Sequence, residues 1–500
     1  MTSTITPAKQ RVQKAASILL ALCSFLFFLM HFIRIFDNSF WGDEGFTIRL
    51  AKMGFVDMVS ATAKDVHPPL YYFFTQILCH IFGFHGYVYH LTAVIPYGLI
   101  LVLCCTVVRK WFGVLPAAVV VTLSSLTDAA LIYNVEARMY SLAALFVFTA
   151  HLAFYQIYQK NRLMDWFIFG FASLCAAYTH YYALISVAFF YLMLLPLLRR
   201  GKKYLKRIAF TYLSAVIIYL PWLFILLNSF KSTAASWWLT APPSAKETLY
   251  FLFGHSWIFL VFVLAIAGFF LYRLGIIRSQ AQPEADIVYR YDLTNHLNFY
   301  ELLSTESLWI LAGLFSFVGT IGVGWILTKA IRPFFLTRYI YQLSAVVYLM
   351  LGFCISKFQL RRFITAIFLI LVFLVELPIY KDSYRSERQT EAGTSAFLEA
   401  VQPSQNTLLY TNNYYLDWTL FEYYYPNNPH ALTSDYDISR VVSTSPSEVW
   451  LFWQKPLRDD DISQVESFGY STEYIYEGAL ADSTHYYVYK LLKDSGEALS

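Results

Sequence analysis

Runs of about twenty apolar residues recur along this chain, each long enough to cross a hydrocarbon core of roughly 30 Å as a helix. They read at about 16–36, 87–108, 112–133, 139–159, 164–180, 182–198, 208–227, 250–272, 308–328, 337–356 and 363–380. Inside a bilayer every backbone N–H and C=O must be satisfied within its own segment, so such runs become helices. Composition agrees. The chain is 58% hydrophobic and 14% charged, against roughly 45–50% apolar and about 25% charged in ordinary soluble domains. The expected fold class is a polytopic α-helical membrane protein with about eleven transmembrane helices.

One further apolar segment, PPLYYFFTQILCHIFG at 68–83, is short and opens on two prolines, which suits an interfacial or re-entrant helix. Loop charge supports that choice. If the segment does not cross, Lys9/Arg11/Lys14, Arg109/Lys110, Lys160/Arg162, the cluster from Arg199 to Arg207, Arg273/Arg278 and Lys357/Arg361/Arg362 share one side. By the positive-inside rule that side is cytoplasmic. The N-terminus is then cytoplasmic, and its basic flank with no small-residue cleavage site reads as a retained first span. A multi-pass protein of the plasma or inner membrane is expected, with residues 384–500 outside the cytoplasm.

Past Tyr384 the chain changes character. Residues 1–383 carry a net charge of +14 and residues 384–500 a net of −10. The tail mixes β-rich runs (Thr407 to Thr411, Val449 to Trp453, Glu473 to Tyr476, His485 to Leu491) with helix-like pieces at 386–401 and 414–424. It reads as a small extracytoplasmic α/β domain, and 1–383 as the transmembrane domain with a first outer loop at 37–86. The polar insertion at about 279–306 reads as a cytoplasmic loop. Six cysteines (Cys23, Cys79, Cys104, Cys105, Cys175, Cys354) lie in or beside apolar runs and form no disulfide framework.

Under this topology the chemistry-bearing residues gather on the outer side. WGDEG (Trp41 to Gly45) follows the first span and holds Asp43 and Glu44. A single juxtamembrane carboxylate pair is ordinarily just the hydrophilic end of a span. Here it has company: KDVHPPLYY places Asp65 and His67 at the mouth of the short helix, whose entry the prolines fix. EARMY brings Glu136 and Arg138, and THYY brings His180 and Tyr181. Ionisable groups near the membrane are costly unless paired or lining a polar cavity. Trp237 and Trp238 read as an aromatic belt. KAIRPFFLTRYIYQL puts Lys329, Arg332, Arg338 and Tyr339 on the side that should be poor in cations, which calls for an anionic partner.

WGDEG, DVHPPLYY, EARMY, THYY and the TRY at 337–339, in that order on one membrane face, resemble the GT-C glycosyltransferases. The likeness is to the protein O-mannosyltransferase and aminoarabinose transferase branch, which takes sugars from polyprenyl phosphates. It covers about 15 to 380. The resemblance implies an inverting displacement in which an acceptor hydroxyl attacks the anomeric carbon of the lipid-linked sugar. One general base suffices for this, unlike the paired carboxylates of glycosidases. Asp43 matches the family's catalytic acidic residue, the general base, and Glu44 would orient acceptor or loop. Arg338 matches the phosphate-side arginine, with Arg138 and His67 as further donor-phosphate candidates; Asp65, Glu136, His180, Tyr181 and Tyr339 are substrate or loop candidates.

Where the aminoarabinose transferases have a lysine before the two prolines, this chain has His67. That leans away from aminoarabinose and toward a neutral hexose such as mannose. The expected partners are a polyprenyl-phosphate sugar, membrane lipid, and an acceptor protein, glycolipid or wall polymer, with no nucleic acid. Asp43, Asp65, Glu136, His67 and His180 are the groups that could converge on a divalent cation, but no recognised ligand spacing is present, and no metal is assigned. The rival reading is a lipid or solute transporter or flippase of envelope precursors. Such proteins place ionisable residues near the midplane, often with inverted repeats; here the charges sit at outer loop ends and no repeat is seen.

Overall fold

The computed structural model describes residues 7–236, 241–274, 304–331, 333–358, 360–414, 416–433, 441–442, 446–480 and 484–493. Trp237, Trp238, Arg332 and nearly all of the 279–306 insertion lie outside the described residues.

The chain begins with α1 (Pro7–Phe32) and continues through three shorter helices, α2 (Gly42–Lys52), α3 (Phe55–Lys64) and α4 (Leu70–Phe82). Next come α5 (Gly86–Leu103), a π turn at Cys104–Val108, α6 (Arg109–Phe112), α7 (Val114–Leu126) and α8 (Asp128–Tyr133). The helices α9 (Tyr140–Gln159), α10 (Leu163–Thr179), α11 (Tyr181–Leu192) and α12 (Lys202–Ser236) follow. After α13 (Ala245–Tyr250), α14 (Ser256–Arg273) and α15 (Thr305–Ala330), a 3-10 turn at Thr337–Leu343 leads into α16 (Ser344–Ser356), and α17 spans Arg361–Ala400.

Among the described residues nine helical stretches are long and apolar enough to cross a membrane. With the shorter apolar helices α7 and α10 they fall on the eleven runs read from the sequence, so this is a polytopic α-helical membrane protein. The remaining short apolar helix is α4. Its 13 residues rise about 20 Å, the same as α7, so its opening prolines and the loop charges rather than its length set it apart.

Three boundaries differ from the hydropathy reading, each for a local reason. The run at 112–133 is not one helix: Gly113 (φ +101°) precedes α7, and Thr127 (ψ 149°) separates α7 from α8. The Thr127 hydroxyl donates to the Leu123 carbonyl at 3.0 Å and lies 3.2 Å from the Tyr348 hydroxyl, the kind of side-chain bonding that competes with a continuing helix. Instead of 250, α14 begins at Ser256, two residues after Gly254 (φ +65°). The helix-like piece expected at 386–401 is the end of α17, whose polar half carries helix-compatible ion pairs Arg385–Asp382 and Arg388–Glu391 at i,i+3.

The chain divides into two compact units. The first is Met1–Arg34, Val59–Phe74 and His90–Tyr380. Its centre is the stretch Thr337–Ser356, 94% buried over its apolar window, whereas the windows at Gln10–Phe36 and Lys202–Asn228 are only 17% buried and face outward. Beside that centre His151 and Trp309 stack at 4.8 Å, and each ring bonds the other residue's carbonyl at 3.2 Å.

The second unit is Ile35–Met58, Thr75–Tyr89 and Lys381–Ser500. It holds a five-stranded sheet of β1 (Leu408–Thr411), β2 (His430–Leu432), β3 (Glu448–Trp453), β4 (Tyr470–Ala479) and β5 (His485–Lys493) in the order β2-β1-β3-β5-β4. β1 runs parallel to β2 and β3, while β5 is antiparallel to β3 and β4. Val449, Leu451, Trp453, Tyr489 and Leu491 supply the buried face, and Val465 of α19 (Asp459–Ser467; α18 is Phe421–Tyr424) packs on it. All four β-rich runs of the tail are strands. β2 was not foreseen because His430–Leu432 is too short to show alternation.

Candidate active site

In the first unit four of the sequence motifs meet. The 65–72 segment enters α4, EARMY lies between α8 and α9, THYY joins α10 to α11, and TRY opens the 3-10 turn before α16. His67 Nδ1 lies 2.8 Å from Asp65 Oδ2, and the other ring nitrogen, Nε2, receives a hydrogen bond from Arg138 Nη2 at 3.3 Å. A guanidinium can only donate and a carboxylate only accepts. His67 is therefore held as the neutral tautomer with its proton on Nδ1. Arg138, 2% exposed, gives a second bond from Nη1 to the Tyr72 hydroxyl at 3.4 Å, which fixes the plane of its fork.

Around this chain stand His180, Tyr140, Tyr182, Tyr339 and Arg338. The His180 ring lies 6.5 Å from His67, 5.8 Å from Tyr140 and 5.1 Å from Tyr339, and Tyr339 stacks on Tyr182 at 5.0 Å. The Arg338 guanidinium carbon is 5.9 Å from the centre of the Tyr140 ring. The Tyr140 hydroxyl lies within the electrostatic reach of Arg338, Arg138, Tyr339 and the buried Glu136. Tyr181 accepts a bond from Trp222 Nε1 at 3.3 Å and feels the Asp65 charge.

Two protonation states follow. Burial would lift the Asp65 carboxyl, but His67, the Val66 N–H and Arg138 outweigh it and hold it below the ordinary carboxylate range. His180 is pushed well below the usual histidine value by burial first, then by Arg138 and Arg338. Its Nδ1 caps α11 by accepting the Tyr182 N–H at 3.2 Å, which also requires a lone pair there. The cluster thus gathers two guanidinium groups, imidazoles and tyrosine hydroxyls with the carboxylates of Asp65 and Glu136, and its arginines supply donors suited to an oxyanion. Tyr72, Tyr140 and Tyr182 were not singled out from sequence, although Tyr72 and Tyr140 end the quoted motifs and Tyr182 closes THYY.

WGDEG belongs to the second unit. Gly42 opens α2, so Asp43 and Glu44 stand in its first turn, where carboxylates suit the helix dipole. Glu44 is buried and its Oε2 accepts the Trp41 N–H at 3.3 Å, so it closes the turn that presents Asp43. A Cβ on Gly45 would lie 2.6 Å from Thr419 Cβ, so α2 lies against the π turn Leu416–Leu420 more closely than any side chain allows. That turn carries a residue not anticipated, Asp417, whose carboxyl is raised by burial and only partly lowered by His430 and Arg49. Further along α2, Arg49 pairs with Glu422 at 3.6 Å, and Gln76 Nε2 bonds the Leu50 and Met53 carbonyls at 3.1 and 2.9 Å. Lys329 is exposed at the end of α15 and joins neither group. Among the described residues no three His, Cys, Asp or Glu side chains are grouped as metal ligands.

No protein-family model and no curated sequence matches the chain. Solved structures do. ArnT from Cupriavidus metallidurans bound to undecaprenyl phosphate is similar at a TM-score of 0.56 and 14% identity, over 94% of this chain and 98% of that one. The oligosaccharyltransferase of Archaeoglobus fulgidus, in complex with Zn and sulfate, has a TM-score of 0.46 and 11% identity over 87% of this chain and 68% of that one. The likeness to ArnT is one of fold: the chain shares a polytopic α-helical membrane architecture with a C-terminal sheet-bearing region.

Proposed function

We propose that this protein is an integral-membrane inverting glycosyltransferase that moves a sugar from a polyprenyl-phosphate donor to an acceptor on the extracytoplasmic face. The observation that carries the reading is the gathering of four sequence-distant motifs into one cluster, with His67 neutral between Asp65 and Arg138. The ArnT structure with the same fold was bound to undecaprenyl phosphate, a ligand whose headgroup suits such a cluster.

In this reading the acceptor O–H gives its proton to Asp43 as its oxygen attacks the anomeric carbon. The bond from that carbon to the phosphate oxygen breaks, and polyprenyl phosphate leaves as an anion. Arg138 and Arg338 stabilise the charge on the leaving phosphate. His67 acts through Arg138 rather than on the phosphate, since both of its nitrogens are engaged. Glu44 positions Asp43, and Asp65, Glu136, His180, Tyr181 and Tyr339 shape the substrate side. The sugar is a neutral hexose such as mannose, because a neutral His67 stands where the aminoarabinose branch has lysine. In this reading, which the basic loops support, the protein sits in the plasma or inner membrane with its N-terminus in the cytoplasm and the sheet-bearing region outside it.

The test is transfer by purified protein in detergent, where no gradient exists. Given polyprenyl-phosphate mannose and candidate acceptors, it should release polyprenyl phosphate. Gradient-dependent movement of the intact lipid across vesicles, with no bond broken under any acceptor, would replace this reading with a transporter.

A further inference from the structure

Away from the motif cluster, a recess of 650 Å³ opens between α1 and the stretch from the π turn through α6 to the start of α7, and its lining changes character along α1. Its lining begins with Gln10, Gln13 and Lys14 near the start of α1, with Arg109 across the gap, and continues along α1 to Ile18 and Ala21. Residues 10 to 21 rise about 16 Å along a helix, so the recess runs from a cationic, amide-lined end to an apolar end. No carboxylate lies in residues 1–36 or 66–127, the stretches that build it.

Arg109 is held in place by the backbone irregularity beside it. In the π turn the Arg109 N–H bonds back to the Cys104 carbonyl, which leaves the Cys105 carbonyl to the arginine's own Nε at 2.7 Å. Its Nη1 donates to Ser17 Oγ at 3.1 Å, and Ser17 in turn bonds the Gln13 carbonyl at 2.8 Å. The π turn therefore aims a guanidinium across the gap at α1, with side-chain entropy already lost before any ligand arrives.

We propose that this recess binds the phosphodiester headgroup of an anionic phospholipid, with Lys14 and Arg109 on the phosphate and the glycerol and acyl chains along Ile18 and Ala21. Basic pockets between transmembrane helices suit such headgroups. A free phosphate would satisfy the cationic end but leave the apolar end unused, so the amphipathic lining favours the lipid.

Native mass spectrometry of the full-length protein in detergent, titrated separately with phosphatidylglycerol, phosphatidylcholine and inorganic phosphate, tests this. Wild type should retain phosphatidylglycerol over phosphatidylcholine. Lys14→Gln with Arg109→Gln should cut that preference by roughly tenfold or more, while Lys202→Gln with Lys203→Gln leaves it unchanged. Should the double variant fail to fold, Lys14→Gln alone, at an exposed position, should still lower the preference several-fold. An unaltered preference in the Lys14 and Arg109 variants overturns the site. Inorganic phosphate displacing phosphatidylglycerol at equal concentration overturns the lipid assignment.

Discussion

Arg138 and His67 are joined by a 3.3 Å hydrogen bond in which the guanidinium donates to Nε2, while Nδ1 of the same ring faces Asp65 at 2.8 Å. The imidazole is thus a spacer of fixed polarity between a carboxylate and a buried arginine. Its removal should act through Arg138. We expect His67→Ala to raise KM for the lipid donor more than it lowers kcat, and Arg138→Lys to do both. The two changes should be non-additive by about 0.5–3 kcal/mol, as for residues in one network. A double-mutant cycle on kcat/KM measures this, and strict additivity would detach His67 from Arg138.

Asp43 stands in the first turn of α2 with Glu44 closing that turn behind it. General bases commonly contribute about 10²–10⁴-fold. Asp43→Asn should therefore lower kcat by at least about 10²-fold while leaving the thermal midpoint near wild type. Near-normal turnover would take the base role away from Asp43.

For Arg338, charge alone is not the issue. Its guanidinium lies against the Tyr140 ring and can hold two phosphate oxygens at once, where an ammonium is a point charge. Arg338→Lys should keep expression and topology but lose transfer from polyprenyl-phosphate sugar, read as released polyprenyl phosphate. Full activity with lysine would mean that bidentate contact is not required.

His180 gives stability a pH dependence of definite sign. Its folded value lies well below the ordinary one, through burial first and then the charges of Arg138 and Arg338. As pH falls through about 6.5, the unfolded chain takes a proton that the folded protein refuses, so stability declines. Asp65 adds nothing in that range: its depressed carboxyl is ionised in both states above about pH 5. The thermal midpoint in detergent should fall between pH 7.5 and pH 5.5. His180→Asn, which keeps an acceptor for the Tyr182 N–H, should flatten that slope. Equal slopes in the two proteins would exclude His180 as a source.

Orientation can be read with single cysteines. In a background lacking the six native cysteines, Gln405→Cys, at an exposed site before β1, should react with an impermeant thiol reagent in intact cells. Lys202→Cys, at the exposed start of α12, should not. Labelling only at 202 would invert the topology.

Hydropathy made the membrane helices legible because a bilayer imposes a length and leaves little choice of backbone. What it missed were events of one or two residues: Thr127 turning its hydroxyl on Leu123, Gly254 at positive φ, and α17 continuing through a polar stretch that its own ion pairs support. The motifs name residues that the fold gathers into the cluster but not their partners. Nothing in DVHPPLYY says that both nitrogens of His67 are taken, since Arg138 arrives from a segment 71 positions away. The same holds for Asp417, which gains its interest only from burial beside Arg49 and His430.

Two carboxylates in a row invite the thought that one could stand in for the other. The hydrogen bond from the Trp41 N–H to Glu44 argues against it. A suppressor screen begun from a strain carrying Asp43→Asn cannot recruit the neighbour, because releasing Glu44 would open the turn on which position 43 is displayed. True revertants at codon 43 should then dominate such a screen, and this adjacent pair of acids would behave genetically as a single, indivisible locus.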